Sequence, residues 1–204
     1  MLAASALECV RGDRTLFSGV SFALAAGEGL LVQGANGAGK TSLLRILVGL
    51  SPPAHGELTW SGQPIRRLGD AYRRELAYCG HPNALKDDLS ALENLRAAAA
   101  LSGHGITPGE ARAALARVGV EAAADLPVRS LSQGQKRRTT LARLALDGAK
   151  LWVLDEPLAA LDASGVDWLA AILDAHLEGG GLAVVTSHQA LPARARFAIL
   201  RIGE

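Results

Sequence analysis

The chain has 204 residues, of which 49% are hydrophobic, so it can bury a full core in one domain or in one domain with a smaller lobe. Its formal net charge of +1 gives no general electrostatic reason to expect binding to nucleic acid. The two cysteines form no CxxC pair, and neither a secretory signal nor a long apolar run is found. We therefore expect a protein of a reducing compartment, either cytoplasmic or attached to a membrane from its cytoplasmic side.

The N-terminal third alternates strands with turns. Residues 5–24 predict two antiparallel strands joined by a turn at 11–13, and residues 30–32 form an apolar run of strand type. A helix is predicted at 42–48, where Gly49 ends it. Further strands are predicted at 56–60 and 76–79. Antiparallel strands should therefore precede the first strand–loop–helix unit.

Residues 82–146 change in composition to Ala, Leu, Arg and Glu, which predicts a helical lobe. Ser90 with Glu93, and Thr107 with Glu110, fit the capping-box pattern that begins a helix. The α/β pattern then returns, with strands predicted at 151–154, 182–186 and 197–202 and a helix at 166–177. We thus predict one domain over residues 1–204, with an α/β core at 1–81 and 147–204 and the lobe inserted at 82–146.

A phosphate-binding loop lies between the third predicted strand and the first helix. Its sequence fits GxxxxGK[ST] at every fixed position. Glycines let consecutive backbone N–H groups point at one anion, and the helix N-terminus adds partial positive charge. Lys40 would reach the β- and γ-phosphates, and Thr41 would bind Mg²⁺. The candidate nucleotide-binding residues of this loop are Gly34, Ala35, Asn36, Gly37, Ala38, Gly39, Lys40, Thr41 and Ser42.

Two carboxylates follow the apolar strand at 151–154. Ligands of open α/β sheets bind at the carboxyl ends of the strands, where Asp155 and Glu156 stand. Asp155 suits Mg²⁺ as the partner of Thr41, and Glu156 would orient or deprotonate an attacking water. The plainer alternative is an acidic pair that merely ends a strand.

The segment Leu-Ser-Gln-Gly-Gln at 131–135 resembles the LSGGQ signature of ATP-binding cassette (ABC) proteins. Leu161-Asp162 resembles the D-loop of that family, and His188 resembles its switch histidine. Ser132 would begin a helix whose N-terminus can face a γ-phosphate. The resemblance implies an ABC ATPase fold, with ATP and Mg²⁺ as cofactors and two nucleotides between the subunits of a head-to-tail homodimer. It assigns Ser132, Gly134, Gln135 and Asp162 to nucleotide contacts, and His188 and Lys40 to catalysis with Glu156.

Two positions depart from that family. Arg11 aligns with an aromatic residue that stacks on adenine in many cassettes, and a guanidinium can also stack on a base. His81 stands where the family usually has a glutamine that links the metal site to the membrane partner. We keep Arg11 as a candidate for adenine and His81 as a candidate for nucleotide and Mg²⁺.

Residues 80–86, 89–95 and 131–138 closely resemble the ATP-binding subunits of bacterial cytochrome c maturation systems. That resemblance implies a peripheral protein on the cytoplasmic face of the inner membrane, bound to integral membrane permease subunits. Its ATP hydrolysis would export haem or release a haem-loaded periplasmic chaperone, and direct binding of haem to this chain is not expected. The alternatives are the ATPase of a generic exporter, a soluble cassette acting on DNA or ribosomes, and an inactive scaffold.

The remaining basic residues and histidines fit more than one role. Lys136, Arg137, Arg138 and Arg143 are either a solvated basic helix face or a phosphate-facing set. His55, His104 and His176 are scattered along the sequence, and we expect them at the surface.

Overall fold

The computed structural model describes residues 1–103, 105–146, 148–195 and 197–203. The strands are β1 (Leu2–Arg11), β2 (Arg14–Leu24), β3 (Gly29–Gln33), β4 (His55–Trp60), β5 (Gln63–Pro64), β6 (Leu76–Cys79), β7 (Leu151–Asp155), β8 (Leu182–Thr186) and β9 (Phe197–Arg201). The α-helices are α1 (Lys40–Leu47), α2 (Ile65–Leu68), α3 (Asp70–Arg73), α4 (Ala91–Leu101), α5 (Pro108–Arg117), α6 (Gln133–Leu141) and α7 (Ala163–Glu178). Short 3₁₀ helices lie at Glu121–Ala123, Val128–Ser130 and Ala142–Ala145.

The strands form two sheets. An antiparallel sheet has the order β2-β1-β4-β5, and a parallel sheet has the order β6-β7-β8-β3-β9. In the parallel sheet β3 pairs with β8 and β9, while β7 pairs with β6 and β8. The carboxyl ends of β3, β7 and β8 therefore lie side by side at one edge of the sheet, where α/β proteins bind their ligands.

The parallel sheet lies between two apolar layers, because neighbouring side chains of a strand point to opposite faces. Leu30 and Val32 pack in the layer that also holds the antiparallel sheet and α1, whereas Leu31 packs in the layer that holds α7. The same alternation separates Val153 from Trp152 in β7. Burial on both faces explains why these strands are apolar throughout.

A third apolar cluster lies within the predicted helical lobe, where it joins α4, α5 and the 3₁₀ segments. The segment around α6 contributes residues to both the lobe cluster and the α/β core. Leu131 and Ala142 pack in the lobe cluster, while Leu141 and Leu144 pack in the layer that contains α7. α6 therefore connects the lobe to the parallel sheet.

Most predicted elements are confirmed, with shifted ends. Both capping boxes are present: the side chains of Ser90 and Thr107 each accept a hydrogen bond from the amide three residues later. β1 begins at Leu2 rather than at residue 5, and α7 begins at Ala163 because the Asp162 side chain caps it. The four-residue helices α2 and α3 and the two-residue strand β5 were not predicted, since such short elements carry no periodicity.

The predicted return from lobe to core at residue 147 and the predicted surface position of His104 lie outside the described residues. Among the described residues, no helix has both the length and the apolar character needed to cross a bilayer. His55 is exposed, as expected, but the expectation for His176 was wrong: it is half-buried, with its ring stacked on Trp152.

Candidate active site

The loop after β3 forms a cradle at the amino end of α1. Gly37 and Gly39 have φ angles of 81° and 101°, a region that residues with a Cβ rarely adopt. Gly34 is needed for a different reason, because a Cβ there would lie 2.5 Å from the carbonyl oxygen of Ile202. Two glycines of this loop are therefore needed for their positive φ angles. The third is needed because the backbone of another segment packs directly against it.

The Lys40 side chain folds back over this loop. Its Nζ donates hydrogen bonds to the carbonyl oxygens of Gly34, at 2.8 Å, and Ala35, at 3.3 Å. Nζ also lies 3.2 Å from Nε2 of His188. Because an ammonium group can only donate, Nε2 is the acceptor in this arrangement. The lysine of the motif and the predicted switch histidine are thus in direct contact.

Asp155, at the end of β7, is 1% exposed, and both of its carboxylate oxygens are bonded. Thr41 Oγ1 donates to Oδ2 and Thr186 Oγ1 donates to Oδ1, each at 2.8 Å. A hydroxyl and a carboxylate are oxygen ligands of the kind that Mg²⁺ prefers. No group of three or more His, Cys, Asp or Glu side chains among the described residues could hold a metal. The remaining ligands of an Mg²⁺ ion would therefore come from phosphate and water.

Glu156 stands in a constrained turn after β7, with φ at 46°. Its N–H donates to Thr186 Oγ1 at 2.8 Å. Its Oε2 accepts from the backbone N–H of His188 at 3.3 Å, and its Oε1 lies 3.4 Å from Nε2 of that residue. Oε1 is buried and has no hydrogen-bond partner among the described residues. This oxygen therefore keeps unused capacity to accept a hydrogen bond.

A cavity of about 670 Å³ opens between these loops. It brings together most of the predicted residues, namely Asn36, Gly37, Gly39, Lys40, Thr41, Ser42, His81, Asp155, Glu156 and His188. Of the other loop residues, Gly34 and Ala35 hold the lysine, and Ala38 is buried. Sequence reasoning missed Thr186 and also Ser187, which lines the cavity; their only signal is their place between a buried strand and His188.

Arg11, the residue proposed for adenine, lies at the end of the β1–β2 hairpin. Its exposed side chain lies outside the described lining of the cavity, with Nη2 3.5 Å from Oγ of Ser51. Arg11 pairs in register with Arg14 at the end of the β1–β2 hairpin, where two like charges repel each other. Leu16, further along β2, lines the cavity instead.

The predicted signature residues lie at the start of α6, away from the described lining of this cavity. Ser132 caps the helix: its Oγ accepts from the amide of Gln135 at 3.2 Å, and its own amide donates to Oε1 of Gln135 at 2.9 Å. Ser132 is exposed and Gly134 half-buried. Asp162, also exposed, caps α7, and the Gly165 amide together with the Arg138 guanidinium lowers its pKa.

Arg137 fits neither of the two roles considered for the basic residues after the signature, a solvated helix face or a phosphate-facing set. Its side chain is 3% exposed and donates to backbone carbonyl oxygens, so it is neither solvated nor phosphate-facing. Burial lowers the pKa of this guanidinium. Arg138 donates to the carbonyl of Val118 at 2.7 Å, and Lys136 lies 3.5 Å from Asp87. Arg143 is half-buried.

Together these features define a class of protein. A parallel sheet, a glycine-rich loop closed by Lys40 and Thr41, and an acidic residue at the end of a neighbouring strand are the parts of a P-loop nucleotide-binding protein. Residues 17–159, more than half of the chain, match the family described as ABC transporter. The chain belongs to the ABC transporter family.

The chain's relatives carry names that are more specific than that of the family. The chain is 54% identical over 189 residues to the cytochrome c biogenesis ATP-binding export protein CcmA of Dechloromonas aromatica, covering 93% of both chains. It is 50% identical over 191 residues to the protein of that name from Pseudomonas aeruginosa, covering 94% of both. These alignments span nearly the whole of each protein.

Solved structures agree on the fold. An ATP-binding subunit of an ABC transporter, 26% identical, superposes with a TM-score of 0.84 over 98% of this chain and 87% of the other. The bacterial ABC transporter cassette MJ0796, solved as a dimer, gives a TM-score of 0.86 at 23% identity, covering 99% and 94%.

Proposed function

We propose that this chain is the ATP-hydrolysing subunit of a membrane complex for cytochrome c maturation. One observation carries the ATPase part: Lys40, Thr41, Asp155, Glu156 and His188 converge on one cavity through direct contacts. The cytochrome c part is supported by the names of relatives at 50–54% identity that match the chain almost end to end.

The loop residues 34–42 would hold the phosphates of ATP, with backbone amides and the α1 N-terminus facing them. Lys40 would leave the carbonyl oxygens of Gly34 and Ala35 and turn to the β- and γ-phosphates. Thr41 and Asp155 would hold Mg²⁺, with His81 as a weaker candidate at the cavity wall. Bound Mg²⁺ supplies charge neutralisation on the phosphates.

Glu156 is the candidate for positioning the attacking water, because it lines the cavity and its Oε1 has no hydrogen-bond partner among the described residues. Nε2 of His188 lies between Lys40 and this oxygen, at 3.2 and 3.4 Å. Once Lys40 turns to the phosphates, His188 is released from its contact with the ammonium. His188 can then donate to the γ-phosphate or to Glu156, which would fix the water in line for attack.

We further propose that the working unit is a head-to-tail homodimer. Ser132, Gly134, Gln135 and Asp162 are exposed or half-buried and lie outside the described lining of their own chain's cavity. The amino end of α6 would instead meet the nucleotide bound by the partner subunit. The helical lobe would then pass the closing motion to integral membrane permease subunits on the cytoplasmic face of the inner membrane.

The test is haem staining of covalent c-type cytochromes in cells whose only copy of this protein carries Glu156→Gln. The control is Glu178→Gln, an exposed glutamate at the end of α7. We expect staining to be lost with Glu156→Gln and kept with Glu178→Gln, at equal protein abundance. Full staining with Glu156→Gln would overturn the cytochrome c assignment and favour the ATPase of a generic exporter.

A further inference from the structure

The guanidinium of Arg137 lies beneath the turn that carries the two candidate catalytic carboxylates. Nη2 donates to the carbonyl oxygens of Asp155, at 2.7 Å, and Glu156, at 2.9 Å. Nη1 donates to the carbonyl oxygen of Gly80 at 2.9 Å, and Nε to that of Pro157 at 3.4 Å. One side chain of α6 thus binds consecutive carbonyls of this turn and the residue before His81.

Such an arrangement is energetically expensive. Removing a charge from water is costly, and in the described part of the chain Arg137 makes no ion pair within 4.0 Å to offset that cost. Its compensation comes mainly from backbone carbonyl groups, with the side-chain oxygen of Asn83 at 3.5 Å from Nη1. The planar guanidinium carries five N–H donors, which can fix the positions of several carbonyls, whereas an apolar side chain cannot. The bonds therefore specify the geometry of the turn rather than merely filling space.

The turn that Arg137 holds is one that requires support. Glu156 has a positive φ of 46°, an uncommon conformation for a residue with a Cβ. Arg137 binds its carbonyl oxygen, while Thr186 accepts its N–H at 2.8 Å. The peptide groups on both sides of Glu156 are thereby fixed, which directs its carboxylate toward His188.

We infer that Arg137 is a positioning residue, which sets the direction of the Glu156 carboxylate according to the position of α6. This inference rests on the proposed ATPase function and deepens it. Arg137 stands five residues after the cap Ser132, about 7.5 Å along the same helix. When the amino end of α6 meets the partner's nucleotide, any shift of the helix would therefore also move the Arg137 guanidinium. The carbonyl groups of Asp155 and Glu156, which are bonded to it, would move with it. Hydrolysis would be coupled to dimer closure through this side chain.

The experiment compares Arg137→Lys and Arg137→Ala with Arg112→Lys and Arg112→Ala as matched controls. Arg112, on α5, makes a surface ion pair with Asp125 at 2.8 Å. For each full-length variant in its membrane complex, ATP affinity, kcat and KM are measured, with the purified chain's thermal unfolding checked in parallel. Lysine keeps the charge but cannot span several carbonyls. We expect Arg137→Lys to lower kcat by about tenfold to hundredfold, the effect of small misplacements in catalysis, with ATP affinity kept.

Chemical rescue separates positioning from a general loss of structure. Free guanidinium at about 50 mM, far below the molar concentrations that unfold proteins, should restore part of kcat to Arg137→Ala and none to Arg112→Ala. A kcat equal to wild type in folded Arg137→Lys, or parallel losses of kcat and ATP affinity, would overturn the inference.

Hydrogen exchange at backbone amides tests the positioning role of Arg137 separately from the proposed ATPase function. We expect faster exchange of the Glu156 amide in Arg137→Lys, with exchange in the 34–42 loop unchanged. If the wild-type complex does not hydrolyse ATP, the proposed function fails, and the amide measurement still decides whether Arg137 holds the turn. Unchanged exchange at Glu156 would refute that role.

Discussion

The hydroxyl of Thr41 donates a 2.8 Å hydrogen bond to Oδ2 of Asp155, joining the start of α1 to the end of β7. Each residue comes from a different segment, and the parallel pairing of β3, β8 and β7 brings them together. The bond places a hydroxyl and a buried carboxylate next to the phosphate loop.

The first prediction concerns this pair. Asp155→Asn keeps the shape of the side chain but removes its negative charge. We expect the gain in ATP affinity on adding Mg²⁺ to fall by about tenfold to hundredfold, the usual range when groups that hold a metal are changed. ATP affinity in EDTA should stay the same. Calorimetric titrations with and without Mg²⁺ measure both, with Asp70→Asn as an exposed control.

The second prediction concerns Glu156. Its replacement by glutamine keeps the side chain's size but removes the base. We expect kcat to fall by about 10²–10⁴, the usual contribution of general-base catalysis, while the ATP dissociation constant stays close to wild type. Single-turnover hydrolysis and equilibrium binding measure the two quantities. Substantial turnover in Glu156→Gln would remove the glutamate from the mechanism.

The third prediction concerns Thr186, which is fully buried. Its hydroxyl donates to Asp155 Oδ1 and accepts from the amide of Glu156, so Thr186→Val would leave both groups without these bonds. We expect a loss of about 1–3 kcal/mol in the free energy of unfolding, the cost of buried unsatisfied polar groups. Urea denaturation measures it. Thr59→Val is the control, since that hydroxyl makes only a 3.4 Å bond in a half-buried position, and equal losses would contradict the assignment.

The sequence allowed the phosphate loop, the acidic pair and the capped helices to be predicted, because each depends on residues that are close together in the chain. The surroundings of Arg137 could not be predicted. Its shorter hydrogen bonds go to Gly80 and to residues 155–157, far apart in sequence, and those acceptors are backbone carbonyls that every residue type carries. The role of Thr186 could not be predicted either, because its partners Asp155 and Glu156 are about 30 residues away in sequence. The surroundings of Arg11 also could not be predicted, because alignment gives its position in the hairpin but not the direction of its side chain.

The fourth prediction concerns His81, which lines the cavity beside the candidate metal ligands. Imidazole favours metals such as Ni²⁺, whereas an amide oxygen suits Mg²⁺. We therefore expect His81→Gln to lower the Mg²⁺ concentration needed for half-maximal hydrolysis and to reduce the activity with Ni²⁺ relative to Mg²⁺. Metal titrations of the ATPase rate test this, with His55→Gln as an exposed control. Identical titration curves for wild type and His81→Gln would exclude a role for His81 at the metal.

The fifth prediction concerns His176, whose ring stacks on Trp152 with centroids 3.9 Å apart and planes 7° apart. Burial lowers its pKa, and the hydrogen bond between Nε2 and the carbonyl oxygen of Leu182, at 3.1 Å, only partly opposes that effect. The native state therefore resists a proton that the unfolded chain accepts at about pH 6.5. The stability contributed by neutral His176 is full above that pH and is lost as the pH falls toward the lower native pKa.

We thus expect the free energy of unfolding to decrease from about pH 7 to about pH 5, and to decrease less in His176→Phe. Phenylalanine keeps a ring against Trp152 but cannot bind a proton, so the comparison isolates the titration from the stacking. Urea denaturation at a series of pH values measures both slopes. Parallel curves for the two proteins would show that His176 is not the group responsible. A shallower curve for His176→Phe would locate part of the acid sensitivity in the layer between α7 and the parallel sheet, away from the candidate active site.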